Sequence, residues 1–160
     1  MLSNLGSLLR YRGLIQSLVA RELKARYEVM VETYNKTVNV EGQLMVLMAN
    51  RYILPAALAY QKDVAESVSA VKAAGGKTLE GKKTLNELTK LIDEFGKATD
   101  NLARALDHNG NGSAEKHAKH YRDAVVPAMA ALREAGDALE LVLPHETWPL
   151  ATYREMLFIK

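Results

Sequence analysis

The sequence predicts an all-α protein: an elongated antiparallel bundle of about three long helices, with an N-terminal amphipathic helix and an aromatic C-terminal tail. Three observations predict it. Apolar residues recur at helical spacings over most of the 160 residues. β-branched residues seldom alternate with polar ones and aromatics make up only 6% of the chain, which disfavours a sheet. The links between the periodic stretches are short and glycine-containing, and a short link can only turn a helix back on its predecessor.

The length suits one domain able to bury a core without staples. With no cysteine, a disulfide scaffold, a thiolate metal site and a cysteine nucleophile are excluded, and a reducing, cytoplasmic setting is expected. The longest uncharged apolar stretches, 53–60 and 124–132, fall far short of the roughly 18 residues of a membrane span. A net charge of +2 argues against a nucleic-acid partner. That small total is unevenly spread. Residues 1–26 carry Arg10, Arg12, Arg21, Lys24 and Arg26 against Glu22, a balance of +4 that leaves −2 for the rest.

The sequence thus divides into a basic head, 1–26, and a helical body, 27–160. In the head, Leu2, Leu5, Leu8, Leu9, Leu14, Ile15, Leu18, Val19 and Leu23 recur at helical spacing with arginines between them. Gly6 and Gly13 weaken that helix. It does not fit a secretory signal, because its basic residues follow the apolar cluster. It is expected either to pack on the body, the plainer reading, or to lie on a membrane surface.

From Tyr27 to Ala74 the period persists, with Tyr27, Met30, Val31, Tyr34, Val38, Leu44, Met45, Leu47, Met48 and Tyr52 on one broad side. Pro55 predicts a kink near 51–55 and not a break. Gly75 and Gly76 predict the stop. Residues 77–83 are expected to be a connector, and a second helix is expected over 84–107 with Leu85, Leu88, Leu91, Ile92, Phe95, Leu102 and Leu106 as its stripe. A turn over 108–112 leads to Ser113, an N-cap whose reciprocal glutamate is replaced by Lys116. The third helix should run to Leu143, kinked at Pro127 and ended by Pro144. The tail, 145–160, concentrates Trp148, Tyr153, Met156, Leu157 and Phe158, a density that calls for a packing partner.

The chemical motifs are weak. Asp107, Asn109, Asn111 and Gly112 match the first half of a calcium loop, but its twelfth position is Ala118 in place of a bidentate glutamate, and Glu115 cannot supply that geometry. A tight interhelical turn is the simpler explanation. His117 and His120, three apart on a helix, with His108 just before, form a conceivable nitrogen cluster for zinc or nickel; a solvated helix start is the commoner one. Glu28 with Glu32, and Asp93 with Glu94, read as solvated faces with i,i+4 partners. Glu41, Asn50 and Arg51 lead into the kink, where polar side chains satisfy freed carbonyls. No catalytic, cofactor-binding or metal residue is assigned, and no cofactor is expected.

Two resemblances cover different parts of the chain. From about 24 to 160 it resembles the C-terminal helical region of type III glutamine synthetases. The residues that carry this are Arg26-Tyr27-Glu28-Val29 with Glu32 and Tyr34, Val40-Glu41 ahead of Met45 and Met48-Ala49, and Ile53-Leu54-Pro55-Ala56-Ala57 with Tyr60. Val126-Pro127-Ala128-Met129, Arg133, Asp137-Ala138-Leu139-Glu140 and Trp148-Pro149-Leu150-Ala151-Thr152-Tyr153 follow in order. Residues 1–27, through Tyr11-Arg12-Gly13-Leu14-Ile15 and Arg21-Glu22-Leu23-Lys24-Ala25-Arg26-Tyr27, are similar to the cytoplasmic N-terminus of ABC-2 type permeases. A natural or engineered fusion through a shared helical seam is one way to join the two. The first resemblance implies a helical extension that supports a catalytic core and its ring assembly. The strands and the glutamate and arginine motifs that join glutamate, ammonia and ATP in that family do not occur here. The expected function is therefore a non-catalytic helical interaction or oligomerisation module, self-associating or holding a protein partner. A membrane-surface or transporter-associated protein acting through 1–26 is the alternative, ahead of a part of a split glutamate-ammonia ligase.

Overall fold

A computed structural model describes residues 3–107, 112–151 and 153–157, with the side chains of 3–10, 153 and 154 left aside. Helix α1 (Ser3–Met48) passes through a π-turn (Ala49–Ile53) into α2 (Leu54–Ala73). Helix α3 (Leu79–Leu106) returns antiparallel to this rod. Helix α4 (Ala114–His120), a second π-turn (Tyr121–Val125) and α5 (Val126–Glu140) then run alongside both, and a short α6 (Tyr153–Leu157) follows in the tail. The predicted all-α class and the three long rods hold, and no strand occurs among the described residues.

Both expected proline kinks take one physical form. Pro55 and Pro127 each stand at the second position of the helix after a π-turn. At each, the residue before proline donates five positions back, Leu54 to the Ala49 carbonyl and Val126 to the Tyr121 carbonyl. A wide turn of this kind absorbs the missing amide without breaking the helix. Asn50 Nδ2 donates to the Val46 carbonyl at 3.1 Å, one turn back and not at the carbonyls that Pro55 frees.

The rod stops where expected. Gly75 adopts φ +78°, and the Gly76 amide donates to the Val71 carbonyl at 2.9 Å. Replacing Gly75 by alanine is expected to cost about 1 kcal/mol of stability through the left-handed backbone alone, measurable as a lower urea midpoint.

The connector is shorter than predicted, because α3 begins at Leu79 and takes in residues 79–83. Gly81 explains the error. A Cβ there would stand 2.8 Å from Val68 Cγ2, so the glycine lets α3 start hard against α2 and is not a loop residue. At the other end of the bundle Ser113 caps α4, its hydroxyl accepting from the Lys116 amide at 3.4 Å. The third rod leaves regular helix after Glu140, and its last turn closes with the Leu143 amide on the Leu139 carbonyl at 3.0 Å.

The core is one stripe from each rod. Val38, Ala49, Ile53 and Ala57 meet Leu88, Ile92, Phe95 and Leu102 of α3, and Val125, Leu132 and Leu139 from the third rod. Trp148 and Leu150 pack on this core from the tail, while Met156 and Leu157 stay exposed and Phe158 lies outside the described residues. Polar ties fix the register: Asn35 Nδ2 donates to the Ala114 carbonyl and Gln61 Nε2 to Thr89 Oγ1, each at 2.8 Å.

Candidate functional site: an uncovered helix face and an apolar cavity

The plainer expectation for the head, packing on the body, is not met. The helix runs without interruption across residues 26 and 27, and every residue from 11 to 30 is exposed. These residues form about 30 Å of helix with no neighbouring element beside them among the described residues. Tyr11, Leu14, Ile15, Leu18, Val19 and Leu23 are each at least half exposed on one side of it.

That apolar side does not end with the head. Val29, Val40, Leu44 and Leu47 follow on the same face, which points away from α3 and α5, and remain exposed. Helix α1 is therefore apolar on two sides. Val38, Gly42, Met45 and Ala49 face the bundle, and Tyr11 through Leu47 face outward. Several residues that period places on one broad side, including Tyr27, Met30, Leu44, Leu47 and Tyr52, are exposed and belong to no core among the described residues. Two interleaved stripes were the available signal, since one stripe suffices to bind a helix to a bundle.

Ion pairs along the rods are exposed and at i,i+4 spacing: Glu28 with Lys24 at 3.9 Å, Glu32 with Lys36 at 3.6 Å and Glu94 with Lys90 at 3.6 Å. This is the solvated-face pattern read from the sequence. On the head's apolar side, Arg26 Nε donates to Glu22 Oε1 at 2.9 Å.

A second feature is a cavity of about 380 Å³ where the first π-turn, α3, α5 and the tail converge. Ala49 and Ile53, Phe95, Leu132 and Gly136, and Trp148 with Leu150 line it. Arg133, Asp137 and Glu140 stand at its lining with Arg133 Nε 3.7 Å from Asp137 Oδ2, a solvated pair. The walls are apolar, and no nucleophile with an adjacent base lines them. The resolved pKa shifts lie elsewhere. In the second π-turn, Arg122 donates to both Asp123 oxygens at 2.6 and 2.9 Å, which lowers the Asp123 carboxyl and raises the guanidinium.

The metal candidates are placed as follows. His120 Nε2 lies 2.8 Å from the Ala105 carbonyl and ties α4 to α3. His117 lies near Gly112 at the start of α4. His108, Asn109 and Asn111 lie outside the described residues. Among the described residues, no group of three His, Asp or Glu side chains is close enough to hold a metal ion.

Comparison with known proteins follows the same helix. The family model for the glutamine synthetase C-terminal domain matches residues 12–72, that is, α1 from within the head, the π-turn and nearly all of α2. The chain is 26% identical over 150 residues to the type-3 glutamine synthetase of Dictyostelium discoideum, covering 87% of this chain and 20% of that protein. It is 27% identical over 148 residues to the glutamine synthetase of Bacteroides fragilis, with the same coverage. Against that of Butyrivibrio fibrisolvens it is 29% identical over 144 residues, covering 86% of this chain and 20% of the relative. The family match begins inside the segment whose motifs resemble a permease, so its edge does not coincide with a seam near residue 26. The chain spans about a fifth of the length of the relatives it matches, and its likeness is to the C-terminal domain of glutamine synthetases.

Proposed function

We propose that the chain is a non-catalytic, cytoplasmic helical module that holds protein against protein through the outer face of α1. The exposed apolar strip from Tyr11 to Leu47 carries this reading, because a strip of that length on a helix already anchored by its opposite side is a surface awaiting cover. The likeness to a glutamine synthetase C-terminal domain supports it, since about four fifths of each relative's length has no counterpart in these residues. The partner is then a second copy, or a polypeptide bearing the rest of such a synthetase.

A membrane surface is the competing cover, drawn by Arg12, Arg21, Lys24 and Arg26. Two features favour protein. Glu22 sits within the strip, and the strip continues along a helix whose other side is occupied by the bundle. No helix among the described residues is long and apolar enough to cross a membrane.

Light scattering should give a mass above the 17.7 kDa of one chain, or the chain should bind the Dictyostelium synthetase shortened by its matching segment. Coupled assay should find no turnover of ATP and glutamate by the chain alone. Strict monomers that bind no shortened synthetase would overturn the reading. Salt-sensitive flotation on anionic vesicles, with no protein association, would transfer it to the membrane.

A further inference from the structure

We infer that the outer face of α1 pairs with the same face of a second copy, antiparallel, about a centre near residues 25 and 26. This rests on the module reading above and adds the partner, the direction and the register.

The order of charges along the strip's two edges carries it. Arg21, Glu28 and Glu32 are seven and eleven residues apart and so share one edge. Arg12 and Glu41 lie about eight full turns apart and share the other. Among these five residues the basic one comes first on each edge and the acidic ones follow, while Lys24 and Lys36 flank the first edge as partners of Glu28 and Glu32 within the helix. In an antiparallel pair like edges face each other. A register centred near residues 25 and 26 then sets Arg21 between Glu28 and Glu32 of the other copy, and Arg12 against its Glu41. Each contact occurs twice by the two-fold axis. A parallel pair in register would face unlike edges, and there each of these charges stands several turns from any of opposite sign.

The same register fits the apolar strip and the middle. Tyr11 falls opposite Val40 and Leu18 opposite Thr33, and at the centre the two Arg26 side chains come together, each already paired at 2.9 Å with Glu22 of its own chain. Glu28 and Glu32 already hold lysines loosely, at 3.9 and 3.6 Å, yet their side chains are 59% and 60% exposed and have room for a second cation. The bundles do not obstruct the contact, because each lies on the far side of its own α1. A strip about 48 Å long and about 10 Å wide on each copy comes to the order of 1,000 Å² over both. Specific protein interfaces begin at about that size.

Three chains test it by analytical ultracentrifugation: the natural one, R12E/R21E, and the full exchange R12E/R21E/E28R/E32R/E41R. The natural chain should form a dimer. R12E/R21E should dissociate at least tenfold more readily, and the full exchange should restore the dimer, because opposite charges again meet across the antiparallel pair. Circular dichroism should find all three equally helical, the exchanged positions being exposed. As a second measurement, Leu18→Cys mixed with Thr33→Cys should give a mixed disulfide on air oxidation, against a background free of other thiols. A dimer indifferent to R12E/R21E, a full exchange that stays dissociated, or homodisulfides alone would overturn the pairing. A natural chain that is monomeric yet binds the shortened synthetase would overturn it too, leaving the module reading intact.

Discussion

Phe95→Ala is expected to lower the free energy of unfolding by about 3–5 kcal/mol, the usual cost of truncating a buried phenylalanine. Phe95 is 1% exposed, and its ring lies where all three rods meet. A Cβ built on Gly136 would stand 3.5 Å from its Cε2, in ordinary van der Waals contact, so α5 packs directly beside the ring. The ring also forms one wall of the cavity beside the first π-turn. Removing it enlarges a space that the surrounding helices, pinned by their own buried leucines, cannot close. Urea unfolding followed by circular dichroism measures the loss, and Leu141→Ala, at a side chain 88% exposed, serves as a control that should leave the midpoint in place. A shift below 1 kcal/mol at Phe95 would mean that the helices do not meet there.

The second large effect is on association. Ile15, Leu18 and Val29 are 58%, 50% and 64% exposed on the outer face, so converting all three to aspartate removes nothing from the core of a single chain. Burial of such side chains at an interface stabilises it by about 1 kcal/mol or more each. Each side chain counts twice in a symmetric pair, so the triple variant should dissociate on the order of 10,000-fold more readily, with the bundle's thermal midpoint unchanged. Light scattering over a range of concentrations reads the first, and thermal unfolding at a dilution where both proteins are monomeric reads the second. Loss of the bundle's own stability would place these side chains inside the fold and contradict the exposed face.

Much of the architecture was legible because helix rules are local. The stop at Gly75, the cap at Ser113 and the two proline positions each follow from a few neighbouring residues. Gly81 was misread for the same reason. Locally it resembles a loop glycine, and only the approach of Val68, thirteen positions away, shows it to be a packing residue. The core face of the first rod was legible only in part. Period identifies which residues share a side but not which side is covered, and α1 has two apolar sides competing for one bundle. The cavity was not legible at all. Its lining joins the first π-turn, α3, α5 and the tail, a meeting fixed by tertiary packing, and nothing local to Arg133 or Gly136 announces it.

The first π-turn has a consequence for that face. On the core side, Val38, Gly42 and Met45 precede it, Ala49 and Ile53 are its first and last residues, and Ala57 follows. Those last spacings of four would carry a regular helix progressively out of phase, each surplus residue turning the surface by about 100°. The wide turn takes up one residue and brings the stripe back onto the bundle. The residue that restores the phase inside shifts it outside. The apolar positions Val40, Leu44 and Leu47 line up with the head, but Leu58, which plain helical counting would add to their row, is swung away from it by the same unwinding. Pro55 thus acts as a ruler's end mark: it gives the outer strip a finite length, beginning in the head and ending at Leu47, about two turns before the proline.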